Sequence, residues 1–204
     1  MLIKLIKLSD TDLAAACWWD QTISKNLKKT PNYTGLARKH RFLTGYIGEL
    51  AVRHFLEAFH VLHQHRISTD GKSKRSEFFV WRNGEKKRME VKAGSASHYS
   101  KFMYPHKQWD CADLYIGARI EAVRPELGEC DVSLMGWLAA KDVKMLKTRD
   151  FGHGVPTLYC EYENMRPIQG LIPLLEKTYR TQMETPFETG NTAPGEAAAT
   201  ATGE

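Results

Sequence analysis

One short stretch, residues 76–94 (SEFFVWRNGEKKRMEVKAG), constrains the fold of this chain more than any other. Two runs containing aromatic, β-branched and long side chains flank the dipeptide Asn83-Gly84. Both central residues of a type I′ turn need a positive φ, which Asn and Gly tolerate best, so the pattern predicts a β-hairpin. A two-residue loop fixes the register of the two strands and places Glu77 directly opposite Glu90.

The predicted hairpin brings two acids and a lysine together. Because side chains alternate along a strand, Glu77, Glu90 and Lys92 emerge on the same face. Opposed like charges destabilise an antiparallel pair, and a hard cation such as Mg²⁺, which binds one or two carboxylates, water and phosphate oxygens, would relieve that repulsion. A lysine beside this cation completes the outline of a metal-dependent phosphodiester-cleaving site. The alternative is that both acids are solvated on an exposed face.

The tripeptide pattern (Asp/Glu)-x-Lys is weak evidence by itself, because it occurs four times, starting at Asp70, Glu85, Glu90 and Asp142. Only the copy at residues 90–92 has apolar residues at the alternate positions and an acid across the hairpin. We therefore predict the site at this copy.

The charge distribution indicates a polyanionic partner. The net charge of the chain is +5, and residues 1–110 carry 20 Lys and Arg against 10 Asp and Glu. A basic half next to a metal-type site is typical of proteins that bind nucleic acid, although a solvated lysine surface is the alternative. The predicted contacts are basic or amide side chains in polar connecting segments: Lys28, Lys29, Lys72, Lys74, Arg75, Lys101, Lys107 and Gln108.

The cysteines and the hydropathy pattern limit the class of protein. Four cysteines are widely spaced without a C-x-x-C pair, which argues against a zinc finger and favours reduced core residues. No apolar run reaches the roughly 18 residues of a membrane-spanning helix, and the first eight residues are too short a run for a signal peptide. We expect a soluble, cytoplasmic protein without membrane contact, and the sequence leaves open whether it forms a homodimer.

The remaining segments predict an α/β fold. The most regular helix covers residues 43–59, where Glu49 lies at the border of the apolar face and either leans over the hairpin or stays in water. Predicted strands cover residues 61–68, 113–121, 132–138 and 157–162, and further helices residues 11–25, 140–147 and 170–179. The predicted domains are an N-terminal helical extension (1–41), a main domain (42–180) and a disordered tail (181–204).

Several of these segments carry recurring motifs: GELA at 48–51, the acid Glu77 that opens the hairpin, MEVKA at 89–93, ADLYI at 112–116 and MGWL at 135–138. In these features the chain resembles the PD-(D/E)XK nuclease superfamily, over roughly residues 42–179. The resemblance implies a restriction-endonuclease-like fold with an α-β-β-β-α-β core, in which a mixed central sheet is flanked by helices.

The same resemblance implies a metal-dependent DNA endonuclease. In that family the helix acid and the two hairpin acids, here Glu49, Glu77 and Glu90, hold one or two ions of Mg²⁺ or Mn²⁺. The carbonyl of Val91 would join Glu77 and Glu90 as a ligand, and Lys92 would orient or activate the attacking water.

One position departs from the family pattern. The residue before the hairpin is usually Asp, whereas this chain has Glu77, so Asp70 is an alternative ligand. We prefer Glu77 because Asp70 lacks an acid across the hairpin. A catalytically inactive nucleic-acid-binding protein on the same scaffold is the second hypothesis, and a protein whose basic half binds an acidic protein partner is the third.

Overall fold

The computed structural model describes residues 4–26, 36–66, 77–95, 101–106, 110–124, 129–151, 154 and 156–178. The elements in chain order are β1 (Lys4–Leu8), α1 (Asp10–Asn26), α2 (Leu36–Ala58), β2 (His63–His65), β3 (Phe78–Arg82), β4 (Glu85–Ser95), β5 (Lys101–Pro105), β6 (Leu114–Arg124), β7 (Glu129–Ala139), α3 (Ala140–Lys144), β8 (Lys147–Arg149) and β9 (Thr157–Glu161). Short 3₁₀ turns follow at Tyr162–Asn164, Ile168–Gly170 and Ile172–Leu174. None of the helices in these ranges is long and apolar enough to cross a membrane.

The fold is α/β, as predicted, and its centre is a mixed sheet. Within the described residues this sheet has six strands in the order β1-β7-β6-β4-β3-β2. The neighbours β4 and β6 run parallel, and the other neighbouring pairs are antiparallel. Strands β5, β9 and β8 form a second, antiparallel sheet.

The central sheet has a different covering on each face. Alternate side chains of β6 enter two separate cores: Ile116 packs with residues of α1 and α2, whereas Tyr115 packs with residues of the second sheet. The predicted arrangement of helices around the sheet therefore holds for one face, and strands of the second sheet cover the other.

The hairpin forms in the predicted register. Phe78 pairs with Met89, and the pairing continues to Arg82 and Glu85 next to the turn. Asn83 and Gly84 have φ angles of 52° and 76°, as a two-residue turn of this type requires. Because β3 is antiparallel to β4 at this register, the position of every side chain along the hairpin follows from the turn.

Helix α2 lies very close to β4. A Cβ atom placed on Gly48 would be 2.5 Å from the Cβ of Ala93, a distance that real side chains do not tolerate. Glycine at this position therefore sets the distance between the helix and the strand, and the next residue, Glu49, is carried to the end of the hairpin.

The N-terminal segment is part of the main fold. The expected boundary between residues 41 and 42 lies inside α2, which begins at Leu36. Strand β1 forms one edge of the central sheet by pairing with β7, and Ala16 and Trp19 of α1 belong to the core beneath that sheet. Hydrophobic periodicity could not mark the start of α2 because its first turns, LARKHRF, are mostly basic.

Three other predicted elements differ from the structure. The core order that the resemblance implies has a helix in the crossover from β4 to β6, whereas the described residues of this crossover form β5. The predicted helix at 140–147 ends at Lys144, and the one predicted at 170–179 is replaced by 3₁₀ turns around Pro173, which has no amide hydrogen for a helical bond. The predicted disordered tail, residues 181–204, lies outside the described residues.

Candidate active site

The predicted acids and lysine meet where β3 begins. Strand β3 starts at Phe78, whereas β4 extends to Ser95. Glu77, just before β3, places its carboxylate at this point: Oε2 accepts a hydrogen bond of 2.6 Å from the N–H of Val91. The Glu77 side chain therefore takes the place of a backbone partner on the edge of β4 beyond the hairpin.

Lys92 and Glu90 form a close ion pair on the face of β4 that points towards the second sheet. The Nζ atom of Lys92 lies 2.6 Å from Oε1 of Glu90, and their side chains are 30% and 8% exposed. The same Nζ atom lies 4.9 Å from the centre of the Tyr104 ring in β5. The lysine is consequently held between a buried carboxylate and an aromatic ring, and part of it reaches solvent.

Burial and like charges control the electrostatics of this cluster. Burial, followed by the nearby charge of Glu90, raises the pKa of Glu77 well above its usual range, and the charge of Glu49 acts in the same direction. Burial alone would lower the pKa of Lys92, but the charges of Glu90 and Glu77 outweigh it and raise that pKa. Lys92 therefore stays protonated in this environment.

Glu49 approaches the cluster from the helix layer. Its Oε2 lies 3.0 Å from Nε2 of His65, and the two side chains are 7% and 9% exposed. Burial raises the pKa of Glu49, as does the charge of Glu90, while the hydrogen bond to His65 opposes the shift. Of the two orientations that the sequence left open for Glu49, the structure has the inward one.

His65 is a member of the cluster that sequence reasoning missed. Its ring stacks on Phe78 with centroids 4.3 Å apart and planes 8° apart. On the other side it faces Tyr46, which stacks on Trp19 at 4.5 Å. This stack fixes the imidazole, and through it the Glu49 carboxylate. No sequence pattern links His65 to an acid 16 positions earlier.

Two further residues line the site from the segment that had no periodicity. The hydroxyl of Tyr104 lies 2.7 Å from the Sγ atom of Cys111. Burial, followed by the charge of Glu90, raises the pKa of the Tyr104 hydroxyl. Burial, followed by the charge of Glu90, raises the pKa of the Cys111 thiol. The expectation of core cysteines holds for Cys130 and Cys160, but Cys17 is exposed and Cys111 is half-buried beside this site.

The donor atoms suit a hard cation. Glu77 and Glu90 offer carboxylate oxygens, and the carbonyl of Val91 points to the same strand edge as its N–H, towards Glu77. The described residues contain no group of three or more His, Cys, Asp or Glu side chains arranged to hold a metal. The two carboxylates and the carbonyl are oxygen donors of the kind that Mg²⁺ binds, an ion that keeps several waters and needs only one or two carboxylates.

Most of the predicted nucleic-acid contacts cannot be placed. Lys28, Lys29, Lys72, Lys74, Arg75, Lys107 and Gln108 lie outside the described residues, as does the alternative ligand Asp70. Lys101 is described: its Nζ atom lies 2.6 Å from a carboxylate oxygen of Glu161. Part of its charge is therefore already balanced within the protein.

The other described copies of the tripeptide pattern have structural partners. Glu85 pairs with Lys87 beside the exposed turn of the hairpin. Asp142 accepts a hydrogen bond of 3.1 Å from the N–H of Ala139 and pairs with Arg166 at 2.8 Å. Neither copy has a second carboxylate beside it in the way that Glu90 has Glu77.

The cluster combines buried carboxylates with a protonated amine at the end of a strand. Such a set can bind a divalent cation through oxygen and can contact a phosphodiester through the lysine. No protein-family model, curated protein or solved structure matches this chain. The interpretation of the site therefore rests on its own residues and their geometry.

Proposed function

We propose that this protein is a divalent-metal-dependent DNA endonuclease with a restriction-endonuclease-like fold. The proposal is carried by one observation: Glu77, Glu90 and Lys92 meet at the start of β3, with Glu49 behind them. The mixed sheet and the hairpin register support it, because they place Glu90 and Lys92 on a central strand and Glu77 directly before the start of its partner strand.

Glu77 and Glu90, together with the Val91 carbonyl, would hold Mg²⁺ or Mn²⁺. When bound, such an ion lowers the pKa of a coordinated water and stabilises charge on the attacked phosphate. The raised pKa of Glu77 supports this assignment, because carboxylates that are buried close together gain most from a neighbouring cation.

Lys92 acts as a fixed positive charge. Since its pKa is raised rather than lowered, it does not take up a proton from water at neutral pH. It instead donates hydrogen bonds to the attacking water or to a phosphate oxygen and offsets the negative charge that develops there. Glu49, held by His65 at 3.0 Å, fixes the remaining side of the cluster from the helix.

A second function is favoured by the pairing within the cluster. Lys92 donates a hydrogen bond to Glu90, and the backbone N–H of Val91 donates one to Glu77. These residues could therefore also stabilise the sheet of a protein that binds DNA without cutting it. This alternative predicts the same basic surface and no hydrolysis.

Incubation of the purified protein with supercoiled plasmid tests the proposal. We expect nicking or linearisation with Mg²⁺ or Mn²⁺ and none with EDTA. The variant Glu90→Ala, purified in the same way, controls for contaminating nucleases and should be inactive. If the folded wild-type protein binds DNA but cuts none with either metal, the endonuclease proposal is wrong and the binding-protein alternative stands.

A further inference from the structure

The hairpin presents two aromatic rings on the same face as the acids. Side-chain alternation along β4 puts Lys86 and Arg88 on the face of Glu90, and the register puts Trp81 and Phe79 opposite them on that face. Phe79 and Trp81 are half-buried, whereas their neighbours Phe78 and Val80 are buried. Among the described residues, neither ring belongs to either hydrophobic core.

Cations surround these two rings. The Nζ atom of Lys86 lies 3.8 Å from the centre of the Phe79 ring and 5.6 Å from that of Trp81. The guanidinium of Arg66, which follows β2, lies 4.9 Å from the Phe79 ring on the same side of the sheet. Arg88 also lies on this face, and its charge is balanced by Asp113 at 3.3 Å. The surface is thus aromatic and positively charged at once.

The rings are aligned with the proposed active site. Residues two apart on a strand are roughly 6.5–7 Å apart, so Phe79 and Trp81 follow each other along β3 from its start, where the acids lie, towards the hairpin turn. A strand of nucleic acid with a phosphate at Glu77 and Glu90 would therefore run its next nucleotides over the two rings.

We propose that Phe79 and Trp81, flanked by Lys86 and Arg66, are a stacking surface for the unpaired bases of single-stranded DNA. Stacking needs the flat face of a base, which a paired duplex keeps inside its own stack, whereas a single strand offers it freely. The cations of Lys86 and Arg66, which lie over the Phe79 ring, would move aside from it to contact the phosphates of the same strand. The substrate class is then DNA with a single-stranded segment next to the cleaved bond; this placement rests on the proposed endonuclease function, but the binding itself does not.

Binding measured in EDTA, where no cleavage occurs, separates stacking from charge. The three fluorescein-labelled probes are oligothymidine, an abasic oligomer of equal length with the same phosphates, and a duplex of equal length. Binding of each probe is measured by fluorescence anisotropy at one salt concentration. We expect the wild-type protein to bind oligothymidine more tightly than the abasic strand and the duplex. Loss of one stacked base typically lowers affinity by about 5- to 150-fold.

The variant Phe79→Leu/Trp81→Leu keeps apolar side chains on the strand and removes the rings. It should bind oligothymidine as weakly as the abasic strand and leave abasic binding unchanged, and the single variant Trp81→Phe should retain most of the affinity. Trp18→Ala is the matched control, because Trp18 is a ring on α1 that is 64% exposed and should not affect binding.

The proposal is overturned if the wild-type protein binds abasic and thymidine strands equally, or if the double leucine variant binds both as the wild type does. A preference for the duplex would also overturn it, in favour of contacts to paired DNA. Plasmid cleavage without oligothymidine binding would remove this inference and leave the endonuclease function intact. Oligothymidine binding without plasmid cleavage would support this inference and contradict the endonuclease function.

Discussion

Lys92 has two roles that a single substitution can separate. It neutralises the buried carboxylate of Glu90 at 2.6 Å, and it is the only lysine that we assign to the attacking water. We expect Lys92→Ala to lower the cleavage rate by about 10²–10³-fold. Because an unpaired carboxylate then remains buried, the free energy of unfolding at neutral pH should also fall by about 1–3 kcal/mol. Plasmid cleavage and thermal unfolding measure the two effects.

Lys87 provides the control for that prediction. It belongs to the exposed Glu85–Lys87 pair in the same hairpin, and exposed pairs contribute little to stability. Lys87→Ala should therefore cut at the wild-type rate and unfold at nearly the wild-type temperature. Wild-type cleavage by Lys92→Ala would show that residues 90–92 are not the active site.

Glu77 should make the protein less stable as pH rises. Its folded-state pKa lies above the ordinary value of 4.5, so between the two values the folded protein binds more protons than the unfolded chain. Stability from this group is therefore present at low pH and is lost as pH rises through the raised pKa. Glu77→Gln removes the charge and can still accept the hydrogen bond from Val91. It should raise Tm at pH 8 by about 2–4 °C, a shift that corresponds to about 1 kcal/mol.

The effect of Mg²⁺ checks the same assignment. Added Mg²⁺ should raise the Tm of the wild-type protein at pH 8 and have little effect at pH 5, because protonated carboxylates do not bind metal. Glu77→Gln should lose most of this response. An equal rise in Tm for both proteins would show that Mg²⁺ binds elsewhere.

At the scale of single residues, the sequence predicted the positions of those site residues that the pairing of one hairpin determines. Glu77, Glu90 and Lys92 could be placed together because an Asn-Gly turn fixes the register of one hairpin. His65 could not, because its contact with Glu49 depends on how β2 is positioned against α2. Tyr104 could not be placed either, because its position depends on the pairing of β5 with β9, and Cys111 is placed by its contact with Tyr104.

At the scale of elements, the contact between α2 and β4 decides where Glu49 lies. A side chain at Gly48 would collide with Ala93 and would lie in ordinary van der Waals contact with Ala118 and Val91. We expect Gly48→Ala to destabilise the protein by about 1–3 kcal/mol, the usual effect of overpacking a core, and to lower cleavage by displacing Glu49. Thermal unfolding and plasmid cleavage again provide the measurements.

Gly45 lies three residues earlier in the same helix, and a Cβ atom added there would have no atom of the described residues within 4 Å. Gly45→Ala should therefore leave cleavage unchanged and stabilise the helix by about 0.5–1 kcal/mol. If both substitutions have the same effect on stability, the close approach of α2 to β4 does not control the site.

Element prediction succeeded where the local pattern was strong. The hairpin and the buried strands around Ile116 and Leu134 carry clear alternation or continuous apolar runs, so their existence followed from sequence. The second sheet did not, because β5 pairs with β9 more than fifty residues later and residues 101–105 show no distinct pattern. The family resemblance implied a helix in the crossover from β4 to β6. Residues 101–105 of this crossover instead form a strand, because they pair with β9.

At the scale of the whole molecule, the segregation of charge predicts how DNA binding depends on salt. Each neutralised phosphate contributes a slope of about −0.9 to the log–log plot of affinity against salt. Reversing Lys72, Lys74 and Arg75 to Glu should make the measured slope less steep by about 2–3 and weaken binding to all sequences. Anisotropy titrations at several salt concentrations give the slope.

A matched set of charge reversals uses three basic residues from the second half of the chain. Lys141, Lys147 and Arg149 are exposed in α3 and β8, and changing them to Glu alters the net charge of the protein by the same amount. These changes should leave the slope nearly unaltered. Equal effects of the two sets would mean that overall charge, and not the basic half, controls DNA binding.

The pairing of β1 with β7 has a consequence for the order in which the chain can fold during synthesis. Residues 4–8 leave the ribosome long before their partners at residues 130–134, which are made more than a hundred residues later. Throughout that interval the apolar side chains of Ile6 and Leu8 have no sheet to join. We therefore expect the central sheet to be completed only after β7 has emerged from the ribosome. Its completion is then a late and chaperone-sensitive step in folding.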